Sequence, residues 1–151
     1  MDIDILIEAQ GWTGLAALAR FACPAVLREV GLQEADYTVS ILGCDDARIA
    51  GLNGTFRGKP LATNVLAWPA AELSPPERPM PGELGDIAIA FETCAREAAE
   101  QGKPFDHHVS HLLVHATLHL LGYDHATYAE AAEMESIESV TLARLGIPDP
   151  Y

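Results

Sequence analysis

Six histidines fall between positions 107 and 125 of this 151-residue chain. Four of them, His107, His111, His115 and His119, follow one another at intervals of four. On an α-helix, residues four apart lie one above the other on one face. His115 and His119 can therefore both bring an imidazole to one metal ion, at the ~2.0–2.1 Å of zinc–nitrogen bonds. The row ends at Gly122, where a helix can stop in the left-handed conformation that glycine tolerates. The turn then presents His125 from a third direction. Three protein ligands leave a fourth tetrahedral position open, the arrangement of catalytic rather than structural zinc. Zinc can lower the pKa of a water in that position to ~7. HxxxHxxGxxH is the metzincin spacing, with one difference: position 116 is Ala, where a metalloprotease carries its general-base Glu. A zinc peptidase would lack its proton acceptor here. The trio has two plainer accounts, buried histidines satisfied by hydrogen bonds and a closed structural metal site.

His107 and His108 read as solvated residues of a first helical turn. His111 faces the same way as His115, so it lines the site or bonds a partner elsewhere. Asp124 abuts His125 and either orients a ligand imidazole from behind or caps the next helix. Arg57 suits bidentate contact with a phosphate, against the alternative of an ordinary surface arginine. Lys59 and Arg48 can widen a basic patch around it, or simply be solvated. With no carboxylate at 116, water held by the metal would supply the nucleophile, its proton passing to His111 or to a substrate phosphate.

Periodicity and punctuation define the elements that hold these residues. Residues 2–8 alternate as a strand, and residues 36–43, 63–68 and 84–91 read as three more. Gly11 to Gly31 has apolar residues at helical spacing, with Pro24 expected to kink or split the helix. Asp45 or Asp46 can cap a short helix through Leu52, ending near Asn53-Gly54. Five prolines and a glycine mark residues 69–83 as a loop. Three helices follow at about 92–102, 105–121 and 127–145. The last carries Glu130, Glu133, Glu135 and Glu138, read as a solvated face, with docking to a basic protein as the alternative. The expectation is one α+β domain over residues 1–151: a small four-stranded mixed sheet covered by about five helices, the metal site on the helix–turn that follows the sheet.

Composition bounds the function. Twenty-two acidic and nine basic side chains give a formal net charge of −13, the wrong sign for a protein that tracks long nucleic acid by its phosphates. Apolar residues make up 49% of the chain, enough for a core. No stretch of 18 or more apolar residues is present, so no membrane span is expected. The N-terminus has no basic region ahead of an apolar run, so no secretory signal is read there. Cys23, Cys44 and Cys94 form no CxxC pair and read as reduced thiols of a cytoplasmic protein.

The run His115-Ala116-Thr117-Leu118-His119-Leu120-Leu121-Gly122-Tyr123-Asp124-His125 resembles the HGxLHLxGYDH signature of the YbeY family of bacterial rRNA-maturation endoribonucleases. Leu52-Asn53-Gly54-Thr55-Phe56-Arg57 resembles the family's LNxxYR segment. Residues 63–69 resemble its TDVLSFP strand, and residues 84–87 its LGDI strand. The departures are Ala116 for Gly, Asn64 for Asp, Ala67 for Ser and Trp68 for Phe. The resemblance implies a metal-dependent, single-strand-specific endoribonuclease acting in 16S rRNA 3′-end maturation and ribosome quality control. It implies one zinc ion per chain on His115, His119 and His125, with Arg57 in the cleft near the metal. It further implies association with the small ribosomal subunit, a ribosomal protein and an assembly GTPase. Two competing functions remain: a ribosome-assembly binding protein with a structural metal, and a zinc hydrolase of a non-RNA substrate.

Overall fold

The computed structural model describes residues 1–151. Strand β1 (Asp2–Ile7) runs parallel to β2 (Tyr37–Cys44), with Asp2 opposite Thr38 and Ile7 opposite Gly43. Parallel neighbours need a crossover, and α1 (Leu15–Glu29) supplies it, followed by a single 3-10 turn at Glu34–Asp36. Strand β4 (Gly82–Ala90) lies parallel to β2 on its other side, and β3 (Val65–Pro69) is antiparallel to β4 at the edge. The sheet order is β1-β2-β4-β3, a mixed sheet as expected. Pro69 is tolerated because β3 is an edge strand that need not donate outward at that end.

Side chains alternate across the sheet, and β4 shows the consequence. Ile87 and Ile89 enter the large core, while Ala88 and Ala90 join a smaller cluster with Cys44, Ile49 and Leu66 on the opposite face. That face is covered by α2 (Asp46–Arg57), through Ile49. The large core is built by α1, α3 (Phe91–Glu100), α4 (Phe105–Leu120) and α5 (Tyr128–Arg144). Helix α4 is its centre, touching α1, α3, α5, β3 and β4. Ten of its sixteen residues are buried, which is why its sequence is apolar on nearly all sides. Fully buried residues such as Leu113 and Leu118 contribute roughly 1.5–3 kcal/mol each by leaving water. The stripe of α4 that stays half-exposed is the row His111, His115 and His119.

Two elements differ from their sequence expectation. Pro24 does not split α1, which is one helix with residues 22–27 all buried on both sides of the proline. Burial of both halves against one core keeps them one continuous helix despite the missing N–H. Helix α2 does not end near Asn53-Gly54 but continues to Arg57, with Gly58 as a left-handed cap at φ 68°. Asn53 is buried, and its amide donates to the Leu61 carbonyl at 3.0 Å, so it ties down the returning chain instead of breaking the helix. The extension sets Arg57 in the last turn of a capped helix.

Candidate metal centre

Helix α4 presents His115 and His119 one turn apart, and the chain after it brings back His125. Leu118 and His119 close the helix end by accepting from the N–H groups of Tyr123 and Gly122, at 3.1 and 3.0 Å. Gly122 has φ 94°, and a Cβ there would stand 2.3 Å from the Leu73 carbonyl oxygen of the 70–81 loop. Only glycine allows both the turn and the close approach of that loop. The result is a group of three imidazoles with one donor atom each within 4.8 Å of one another. His115 Nε2 and His119 Nε2 are 3.0 Å apart.

Behind the trio lies a carboxylate. Glu138 of α5 has a fully buried side chain. One of its oxygens pairs with His115 Nδ1; the other meets the Tyr151 hydroxyl and lies 3.5 Å from His111 Nε2. A carboxylate on Nδ1 keeps the proton on that nitrogen, so the lone pair of His115 sits on Nε2 and faces the other imidazoles. Burial alone would raise the Glu138 pKa. Hydrogen bonds from His111, His115 and Tyr151, with the charge of His115, outweigh it and hold the group at about 2. His119 moves the other way, down to about 4. Burial is the main cause, then repulsion from His115 and His125, against a backbone hydrogen bond at Tyr123 and the Asp124 charge.

These features fit a divalent metal. A ligand histidine must be neutral, and His119 is held neutral. The 3.0 Å approach of His115 Nε2 and His119 Nε2 suits two nitrogens sharing one cation when neither carries a proton there. The carboxylate–histidine pair behind the site is the usual support for a zinc-type ligand. His115, His119 and His125 are the residues that would hold it.

The site opens into a cleft of about 740 Å³, walled by β3, the 70–81 loop, α4 and Tyr151. Arg57 is exposed on this cleft and anchored by one Nη2 donating to the Ala67 carbonyl at 3.2 Å. Its remaining guanidinium donors are free for a ligand. Asn64 also lines the cleft. Its amide donates to Glu97 Oε1 at 3.0 Å, an acceptor that His108 shares at 2.9 Å. A carboxylate at position 64 would face Glu97 with like charge, so the amide suits its neighbour.

The expectations for His108, Glu138, a capping role of Asp124 and a basic patch with Arg48 need correction. His108 is buried and bonded to Glu97, because α3 packs on the first turn of α4; it is not a solvated residue. Glu138 is likewise not on a solvated acidic face; Glu130, Glu133 and Glu135 are the exposed ones. Asp124 caps no helix. It accepts from the His125 backbone N–H at 2.8 Å, and Thr127 caps α5. Its carboxylate thus fixes the backbone of His125. Lys59 is exposed beyond the end of α2 and is not part of the cleft wall. Arg48 pairs with Glu8 at 3.2 Å, away from the cleft, so no basic patch forms around Arg57. His111 lines the cleft but turns Nε2 towards Glu138 and the Tyr151 hydroxyl, the latter 3.4 Å away.

Sequence reasoning missed Glu138 and Tyr151 as site residues. A signal for Glu138 existed: it lies four residues from both Met134 and Leu142, on the buried stripe of α5. A carboxylate on such a stripe needs a partner. Tyr151 carried no such signal.

Comparison with known proteins agrees with this geometry. The family model described as Endoribonuclease YbeY matches residues 9–146. The protein named endoribonuclease YbeY of Jannaschia sp. (strain CCS1) is 56% identical over 161 residues, covering 100% of both chains. That of Dinoroseobacter shibae is 52% identical over 162 residues, covering 99% of this chain and 90% of its own. A Thermotoga maritima protein solved in solution superposes with TM-score 0.59 at 24% identity, covering 98% of this chain and 97% of its own, and supports the fold.

Proposed function

Since the chain belongs to the YbeY endoribonuclease family, hydrolases of RNA phosphodiester bonds, we propose that it cuts single-stranded RNA at a zinc centre held by His115, His119 and His125, one ion per chain. The observation that carries this reading is the convergence of the three imidazoles on the floor of the cleft that Arg57 borders. A zinc ion bound there supplies Lewis-acid polarisation of a phosphoryl oxygen. Arg57 grips a non-bridging oxygen of the scissile phosphate and offsets the charge that builds in the transition state. Glu138 keeps His115 in one tautomer and one ring orientation. His111, beside His115 on the cleft wall, accepts the proton of the attacking water. Asp124 holds the backbone of His125, and with it the third imidazole.

The substrate in this reading is the 3′ region of 16S rRNA, cut during maturation and ribosome quality control in the cytoplasm. The small ribosomal subunit presents the strand, with a ribosomal protein and an assembly GTPase as partners. The exposed Glu130, Glu133 and Glu135 offer a basic protein a place to dock. Lys59 contacts RNA only outside the cleft, if a strand extends past Arg57. Product ends test the chemistry: direct attack by water leaves a terminal phosphate on one fragment and a hydroxyl on the other. A 2′,3′-cyclic phosphate would mean that the ribose 2′-hydroxyl attacked, and would remove His111 from the role given to it.

A further inference from the structure

The segment after α5 is tied to the site. Ile147 is buried, and its N–H donates to the Leu142 carbonyl at 2.9 Å. Asp149 Oδ1 accepts from the Ser139 hydroxyl and from the Tyr151 N–H, both at 3.0 Å. Those bonds aim the Tyr151 phenol inward. Its hydroxyl donates to Glu138 Oε2, and its ring meets His111 edge-on, with centroids 5.6 Å apart at 88°. Tyr151 thereby forms part of the cleft wall.

Glu138 cannot draw on water, since its side chain is fully buried. One oxygen is satisfied by His115. The other has the Tyr151 hydroxyl and, at 3.5 Å, a long contact to His111. Without the phenol, that oxygen would keep only the long contact, and a poorly satisfied buried carboxylate rotates towards other donors. The rotation releases His115 Nδ1, and with it the ring plane that points Nε2 at His119 and His125.

We propose that Tyr151 is a positioning residue for the metal centre, acting on His115 through the buried carboxylate of Glu138. The inference rests on the three-histidine reading of the site. It adds that a side chain from the segment after α5 sets the affinity of a centre whose ligands all lie within residues 115–125. A partner one bond behind a ligand, as Glu138 is, changes metal affinity by about 10- to 100-fold when removed, and the phenol, one bond further out, acts at the lower end of that range.

The test is zinc affinity, measured by competition with a chromogenic chelator, for the wild type, Tyr151→Phe, Glu138→Gln and the double variant. Tyr151→Phe removes one oxygen from a side chain that is largely exposed, so it folds even if Glu138→Gln does not. The expected result is about tenfold weaker zinc binding in Tyr151→Phe. The double variant should bind no more weakly than Glu138→Gln alone, because the phenol acts through the carboxylate. The ¹⁵N shifts of the His115 ring in metal-free Tyr151→Phe should also show a tautomer mixture absent from the wild type. Wild-type binding with an unchanged Tyr151→Phe affinity would overturn the positioning role alone. A wild type that binds no zinc would overturn the three-histidine reading beneath it.

Discussion

Arg57 and Glu138 occupy opposite environments, and their removal has opposite consequences. Arg57 is exposed and makes one hydrogen bond to Ala67, so Arg57→Ala leaves stability within about 0.5 kcal/mol. The same change should lower kcat/KM by about 100-fold, as expected for loss of a donor aimed at transition-state charge. Arg57→Lys recovers only part of it, because an ammonium lacks the bidentate fork. Steady-state cleavage of a short single-stranded RNA alongside urea unfolding checks both halves. Glu138 is buried among its donors, so Glu138→Ala should cost about 3 kcal/mol in the metal-free protein. Its pKa falls from the ordinary 4.5 to about 2 on folding. Its stabilisation is therefore fully present above pH 4.5 and is lost as pH falls towards 2. The stability gap between metal-free wild type and Glu138→Gln, followed by urea unfolding, should stay constant above pH 4.5 and narrow below it. At this scale the sequence was legible where the chemistry is local. His115, His119 and His125 share eleven residues, and their spacing alone implies convergence. Glu138 and Tyr151 arrive from 13 to 26 residues further on, across a turn whose geometry no pattern in the chain announces.

At the scale of elements, α4 and its terminal turn do the positioning. The helix is held on most of its surface by core contacts, so the histidine row cannot rotate away from the cleft. Gly122 then has two duties, the left-handed turn and contact with the Leu73 carbonyl. Gly122→Ala should destabilise by more than 1 kcal/mol, since alanine is strained at φ 94° and its Cβ would strike backbone. It should also weaken zinc binding, because the displaced turn carries His125. Thermal unfolding and chelator competition read the two effects separately. The strands and helices were legible in number and order because each carries its own period and each is bounded by glycine, proline or a polar cap. The exceptions share a cause. Pro24 and the Asn53-Gly54 pair are breakers by local rule, and each is overruled by burial: Pro24 by the core on both sides, Asn53 by its bond to Leu61.

For the whole molecule, a net charge of −13 goes with a cleft whose lining sets one arginine, Arg57, against Glu72 and Asp124. The cleft combines one free guanidinium, Arg57, with three imidazoles that can hold a dication, while Arg48 is already paired with Glu8. Such a surface opposes strong non-specific RNA binding at physiological salt and suits a strand presented by a larger assembly. The large core of 26 buried residues includes none of the three histidines. Chelation should therefore leave a folded protein whose loss of stability is limited to the binding free energy of the ion, unlike a structural zinc site that unfolds when stripped. Far-ultraviolet circular dichroism before and after chelator checks this. The most direct test of a zinc-dependent RNA-cleaving centre joins metal content to cleavage in one experiment. Zinc per chain and cleavage of a single-stranded RNA bearing the 16S 3′ sequence are measured for the wild type and for His115→Ala. One zinc and cleavage in the wild type, with both lost in a folded His115→Ala, is the result expected. Wild-type cleavage by a zinc-free His115→Ala would contradict it.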